Sequence, residues 1–275
     1  KKKIQKLFIQ SNNPLKLLKN HRNQGIVTLE NNTNSVYKIS VSDYKGNQSK
    51  LNIPIIGLQK NVPKARIKTQ VLQNIIASEE TLLEKGPVSV QIYKDSFYED
   101  VAIGFDVTND TLKLHKANIP LKKSMNINFD ISQYKATDKA KLFIGKMSRY
   151  GNKLYYTSTK RRGDILTART KYLGDYTLGI DTENPKIKAI NFKNNSWMSK
   201  YRYLKVKISD GITGIKNYRA TLNDRWILME YDTKTETLTH DFNDGVVTDT
   251  KNNLKIIVTD NVGNSSTFES IFYRK

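Results

Sequence analysis

The chain has 275 residues, with 46 Lys+Arg against 26 Asp+Glu and a formal charge of +20. Cysteine is absent, which excludes disulfides, thiolate catalysis and zinc–sulfur sites, and the three histidines, His21, His115 and His240, leave little material for imidazole chemistry. The length suits about two to three domains, and no stretch approaches the ~18–20 apolar residues that a membrane-spanning helix needs.

The chain opens Lys1-Lys2-Lys3-Ile4-Gln5-Lys6 with no methionine and no apolar signal-peptide core behind it, so the sequence is expected to be a fragment. Residues 1–59 carry net charge +8, residues 60–178 +9 and residues 179–275 +3. Excess charge of this kind attracts a polyanion. It is also what a Lys-, Asn- and Ile-rich composition produces with no ligand in view. No helix–turn–helix, zinc finger or aromatic RNA-binding motif points to a specific nucleic-acid partner.

Alternation of period two runs through the sequence. It is clear at Ser35–Ser42, Asn126–Ile131, Leu204–Ser209 and Asn253–Thr259. One buried and one wet face is the pattern of antiparallel sheet. Short Gly, Asn, Asp, Ser and Pro clusters separate the runs, which predicts an all-β protein of tandem antiparallel β-sandwich domains, immunoglobulin-like in type. Residues 69–84 have apolar spacing that fits one face of a helix. Their β-branched content and the following Lys85-Gly86-Pro87 favour two strands and a turn.

Two turn motifs repeat. Val41-Ser42-Asp43-Tyr44-Lys45-Gly46-Asn47 and Val258-Thr259-Asp260-Asn261-Val262-Gly263-Asn264 both read strand, Asp-x-x-Gly-Asn, strand. Gly46 and Gly263 accept positive φ, Asn47 and Asn264 tolerate the left-handed region, and Asp43 and Asp260 accept bonds from loop amides. The competing chemistry is calcium, for which one Asp per turn is too few. Pro54 marks an edge strand after the first turn. A third boundary falls at Asp181-Thr182-Glu183-Asn184-Pro185. The expected organisation is a partial immunoglobulin-like module at 1–59, a β-sandwich at 60–178 and an immunoglobulin-like β-sandwich at 179–275.

Ligand candidates are few. Lys160, Arg161 and Arg162 form the densest basic spot after the N-terminus, and Tyr155-Tyr156 could line a glycan groove or simply cover a sheet. Tyr93, Phe97 and Tyr98 are similarly placed. Trp226 precedes Ile227-Leu228-Met229, an apolar run that favours core packing over stacking on a sugar. No Gly-x-Ser-x-Gly elbow or phosphate-binding loop is present, and Asp106 and Asp110 flank a turn.

Two stretches carry a family resemblance. One is Ser209-Asp210-Gly211-Ile212-Thr213-Gly214-Ile215 with Tyr218–Asp232, Leu238–Phe242 and the Asp260 turn. The other is Leu112–His115, Ile119-Pro120-Leu121, Thr159–Arg162 and Thr170–Thr177. Together they resemble the non-catalytic C-terminal part of lysostaphin-like zinc metallopeptidases from Bacteroidetes. The resemblance implies β-sandwich modules behind a peptidase domain, a cell-envelope location, and a role as spacer, anchor or binder of peptidoglycan or another anionic envelope polymer. It also implies that the partner is an upstream peptidase domain. The family's zinc site needs a His-x-x-x-Asp pair and a His-x-His pair. No two histidines lie within such a spacing, His21 and His115 have no adjoining partner of this kind, and His240 adjoins Asp241 but lacks the second pair. No catalytic residue or cofactor therefore carries over, and zinc is expected only in the missing domain. The competing class is a stand-alone adhesion or glycan-binding sandwich protein.

Overall fold

The computed structural model describes Leu17, Lys19 and residues 29–58, 72–148, 151, 153–247 and 249–275. His21 lies outside the described residues. Among the described residues the protein is all-β, apart from one helical turn, α1 (Ala136–Lys139), and one 3-10 turn at Phe242–Asp244. It divides into two units, Lys1–Thr69 and Gln70–Lys275. No described helix is long and apolar enough to cross a membrane.

The first unit contains a hairpin of β1 (Asn34–Ser42) and β2 (Gln48–Ile56), paired from Asn34↔Ile56 to Ser42↔Gln48. Alternation sends Tyr37, Ile39, Val41, Leu51, Ile53 and Ile55 to one face. Among the described residues both strands are edges, consistent with Pro54 in β2.

The second unit begins with β3 (Leu72–Ile75) and β4 (Thr81–Lys85), so the segment that also fits a helix is two strands. There follow β5 (Val88–Ile92), β6 (Val101–Thr108), β7 (Thr111–Leu114), β8 (Met125–Asp130), β9 (Leu142–Met147) and β10 (Leu154–Tyr156). Then come β11 (Thr159–Arg162), β12 (Ile165–Thr170) and β13 (Gly174–Ile180). They form a six-stranded sheet, β10-β9-β13-β7-β6-β3, and a five-stranded sheet, β11-β12-β8-β5-β4. Both sheets contribute to one core of Val90, Ile103, Leu112, Ile127, Phe129, Ile144 and Leu166, all essentially inaccessible to water. Tyr176 is buried in that core. Its hydroxyl donates to Tyr172 O at 2.6 Å and lies 3.2 Å from Thr170 Oγ1, a latch of the tyrosine-corner kind.

The remaining strands are β14 (Lys186–Ala189), β15 (Ser196–Trp197), β16 (Tyr203–Ser209), β17 (Ile215–Leu222) and β18 (Arg225–Ile227). They continue with β19 (Glu230–Asp232), β20 (Thr237–Asp241), β21 (Lys251–Asp260) and β22 (Ser265–Tyr273). Their sheets are β14-β16-β20-β19 and β15-β22-β21-β17-β18, antiparallel except for the β15–β22 pair. A second core lies between them, built on Leu204, Val206, Ile208, Leu222, Leu238, Leu254, Ile256, Val258 and Phe272.

Candidate functional site

The two repeated turns have one chemistry. Asp43 Oδ1 accepts the Lys45 and Asn47 backbone N–H groups, both at 2.9 Å, and Asp43 Oδ2 accepts Asn47 Nδ2 at 2.7 Å. Asp260 Oδ1 accepts Val262 N at 2.9 Å and Asn264 N at 2.8 Å, and its Oδ2 accepts Asn264 Nδ2 at 2.7 Å. Gly46 and Gly263 have φ of +87° and +86°, where a Cβ would be strained. The Asn47 amide, with the backbone N–H bonds beside it, holds the Asp43 carboxyl below the usual range.

Their surroundings differ. Asp43 is exposed, whereas Asp260 is fully buried and meets Asp181 and Asp210, with one oxygen of each carboxylate within 4.8 Å of the others. Sequence reasoning missed this convergence, because the three residues lie on separate segments. Oxygens at this spacing suit a hard cation. They are also heavily served from within the protein. Asp181 accepts Glu183 N at 3.0 Å and Thr213 Oγ1 at 2.7 Å. Asp210 Oδ2 accepts the N–H groups of Ile212, Thr213 and Gly214 at 2.7–3.1 Å. The cluster also fastens the chain between the two cores: Asp181 N donates to Lys141 O, and Asn264 Nδ2 donates to Asp181 O, both at 3.0 Å.

The described histidines occupy different sandwiches. His115 Nδ1 accepts Gly104 N at 3.2 Å; burial, with Lys116 beside it, pushes its pKa down. His240 is buried, with Nδ1 3.0 Å from Leu228 O and its ring edge-on to Phe242. His240 Nδ1 also lies 3.6 Å from Asp244 Oδ2, but among the described residues neither histidine belongs to a group of three or more acids and imidazoles.

The basic and aromatic candidates fall on adjoining edges of the first sandwich. Tyr155 and Tyr156 sit on β10, the outer strand of the six-stranded sheet. Tyr155 is 57% exposed, while the Tyr156 ring lies 5.7 Å from Phe143 and its hydroxyl accepts Thr159 N at 3.2 Å. Lys160, Arg161 and Arg162 sit on β11, the outer strand of the five-stranded sheet. Arg161 is tied to its own turn through Nε to Gly163 O at 2.8 Å.

Register carries Lys160 and Arg162 onto the outer face. One row crosses all five strands as Lys160, Thr167, Asn128, Ser89 and Glu84. A parallel row runs Arg169, Asn126, Gln91 and Leu82. Thr167 Oγ1 donates to Asn128 Oδ1 at 2.8 Å, Asn128 Nδ2 to Ser89 Oγ at 3.1 Å, and Asn126 Nδ2 to the Tyr93 hydroxyl at 2.7 Å. The result is a ladder of amides and hydroxyls with cations at one end. Lys160, Arg162 and Arg169 are exposed, and none forms an ion pair with a described residue.

Trp226 is not in the core. It is 58% exposed, while Ile227 and Met229 are 1% and 2% exposed. Exposure alternates along the run, with Trp226-Ile227 in β18 and Leu228-Met229 just beyond it, so Trp226 and Leu228 are turned outward and their neighbours inward. Phe97 is buried and Tyr98 is 37% exposed.

Residues 73–181 match the family described as Zu5-like domain. No curated protein matches the chain. Among solved structures, the fibronectin(III)-like modules of Clostridium thermocellum CbhA are similar at 13% identity, over 56% of this chain and 86% of that chain, with a TM-score of 0.28.

Proposed function

We propose that this chain is a non-catalytic accessory region of a cell-envelope peptidase, and that it holds an anionic envelope polymer such as peptidoglycan against the outer face of the β11-β12-β8-β5-β4 sheet. The observation that carries this reading is the register that aligns Lys160, Arg162 and Arg169 beside the Asn126–Asn128 amide ladder. The cations attract carboxylates of the polymer, and the amides and hydroxyls accept and donate along its length. Each contact is weak and exposed, so affinity comes from repetition along a chain that carries many copies of the same group. The resemblance to metallopeptidase C-terminal regions supports the accessory role and the envelope location, with zinc and hydrolysis assigned to a separate domain.

Cosedimentation with purified peptidoglycan tests the reading. Binding should weaken steeply as salt rises. The double substitution Lys160→Glu with Arg162→Glu should lower it by about tenfold with the fold intact. Salt-independent binding that ignores these substitutions would sink the proposed face. Zinc-dependent release of fragments from peptidoglycan by this chain would sink the accessory role.

A further inference from the structure

The chain has two tryptophans, and both stand in water on one face of one sheet. Trp197 is 56% exposed and Trp226 58%. Their common orientation follows from register. Trp226 is paired with Thr221, between the inward Ala220 and Leu222. Trp197 is paired with Tyr273, next to the inward Phe272, and the two rings lie 5.4 Å apart. The outer face of β15-β22-β21-β17-β18 therefore has an indole at each edge.

The ground between the indoles is polar. One row runs Trp226, Thr221, Lys255 and Glu269, with the Lys255–Glu269 pair at 3.0 Å. The next holds Asn253 and Ile271, and the third Lys251, Tyr273 and Trp197. Four strand spacings sideways and four residues along β21 separate the indoles, on the order of 20 Å. A protein partner is usually gripped by aromatics clustered in one desolvated centre. Here the rings are far apart, with amide, hydroxyl and paired ions between them. A linear polysaccharide fits that spacing of chemistries: each sugar offers an apolar C–H face to an indole and hydroxyls to the polar strip. Lys275 Nζ at 6.0 Å from the Trp197 ring centroid adds a donor at one end.

We propose that this face is a stacking platform for a linear β-linked polysaccharide, held at its two ends by Trp197 and Trp226. The inference rests on the reading of the chain as an envelope-polymer binder, but it uses a different sandwich and a different force. Stacking on a rigid sheet is insensitive to salt, whereas the Lys160 face is not.

Tryptophan fluorescence of the full chain reports directly on both rings. Titration with a soluble β-1,4-linked N-acetylglucosamine hexamer should give saturable quenching, with an affinity unchanged between about 0.05 and about 0.5 M salt. Read by isothermal titration calorimetry, since the double variant keeps no tryptophan to report, Trp197→Ala and Trp226→Ala should each weaken binding about tenfold and together about a hundredfold, because the sites are too far apart to couple. Tyrosine at either position should restore most of the loss, and thermal midpoints should stay unchanged at these surface positions. The proposal is overturned by the absence of saturable quenching with the hexamer, by binding that survives the double alanine variant, or by quenching with oligothymidylate alone. Lys160→Glu with Arg162→Glu leaves hexamer binding unchanged if the platform is right. Loss of hexamer binding in that variant would instead leave the basic face standing and remove the platform.

Discussion

Asp43 and Asp260 accept matched sets of bonds in matched turns, so they isolate what burial does to a carboxylate. Asp260→Ala orphans the Val262 and Asn264 N–H groups and the Asn264 amide in a dry setting. Relief of repulsion from Asp181 and Asp210 offsets part of this, but each of those carboxylates already has its own donors. The lost bonds win, and urea unfolding should record a loss of about 3 kcal/mol. Asp260→Asn keeps an acceptor oxygen and should lose less. Asp43→Ala exposes its amides to water, which replaces the lost bonds, so its effect on unfolding should be much the smaller of the two. A loss at Asp43 as large as that at Asp260 would mean that burial is not what separates the turns.

At the scale of a strand, Tyr176 latches β13 to the turn before it. Burial pushes its phenol up to about 12 from an ordinary 10.0. The sign follows from linkage: a raised folded pKa gives stability that is complete below the unfolded value and is lost as pH rises through the folded one. Wild-type stability should therefore fall between pH 10 and about 12. Tyr176→Phe should cost about 1 kcal/mol at neutral pH through the bond to Tyr172 O, and flatten that alkaline fall. Denaturant unfolding at both ends of the range checks it. The strands themselves were legible wherever one face is wet, as in β8, β16 and β21, because a period of two survives only under one-sided burial. The edge strand β18 was not. Trp226-Ile227-Leu228-Met229 is apolar throughout, and such a run reads the same whether both faces are covered or one is open to a ligand. Lys160 and Arg162 were legible as a basic spot, but their alignment with Arg169 and the amide ladder needed strand register. The Asp181–Asp210–Asp260 convergence was illegible for the same reason: no local spacing encodes it.

At the scale of the molecule, the two cores of the second unit share no residue. Calorimetry of the intact chain should resolve separate transitions for the two sandwiches. Asn264→Ala removes the bonds to Asp181 O and Asp260 Oδ2, and should lower the C-terminal transition by roughly 5 °C while leaving the other in place. One transition that moves as a whole would show the cores unfolding together. The β1–β2 hairpin has a different consequence. Its apolar face aligns through the repeated turn with Leu254, Ile256, Val258, Phe268, Ser270 and Phe272, of which all but Phe268 are buried in their own sandwich. In the hairpin, Val41 is 63% exposed, Leu51 56% and Ile53 40%. A greasy ribbon whose two margins meet no other described strand is a template for aggregation. The lysines at 38, 45 and 50 act as gatekeepers against it through mutual repulsion, so the colloidal stability of a concentrated sample rests on charges that salt would screen.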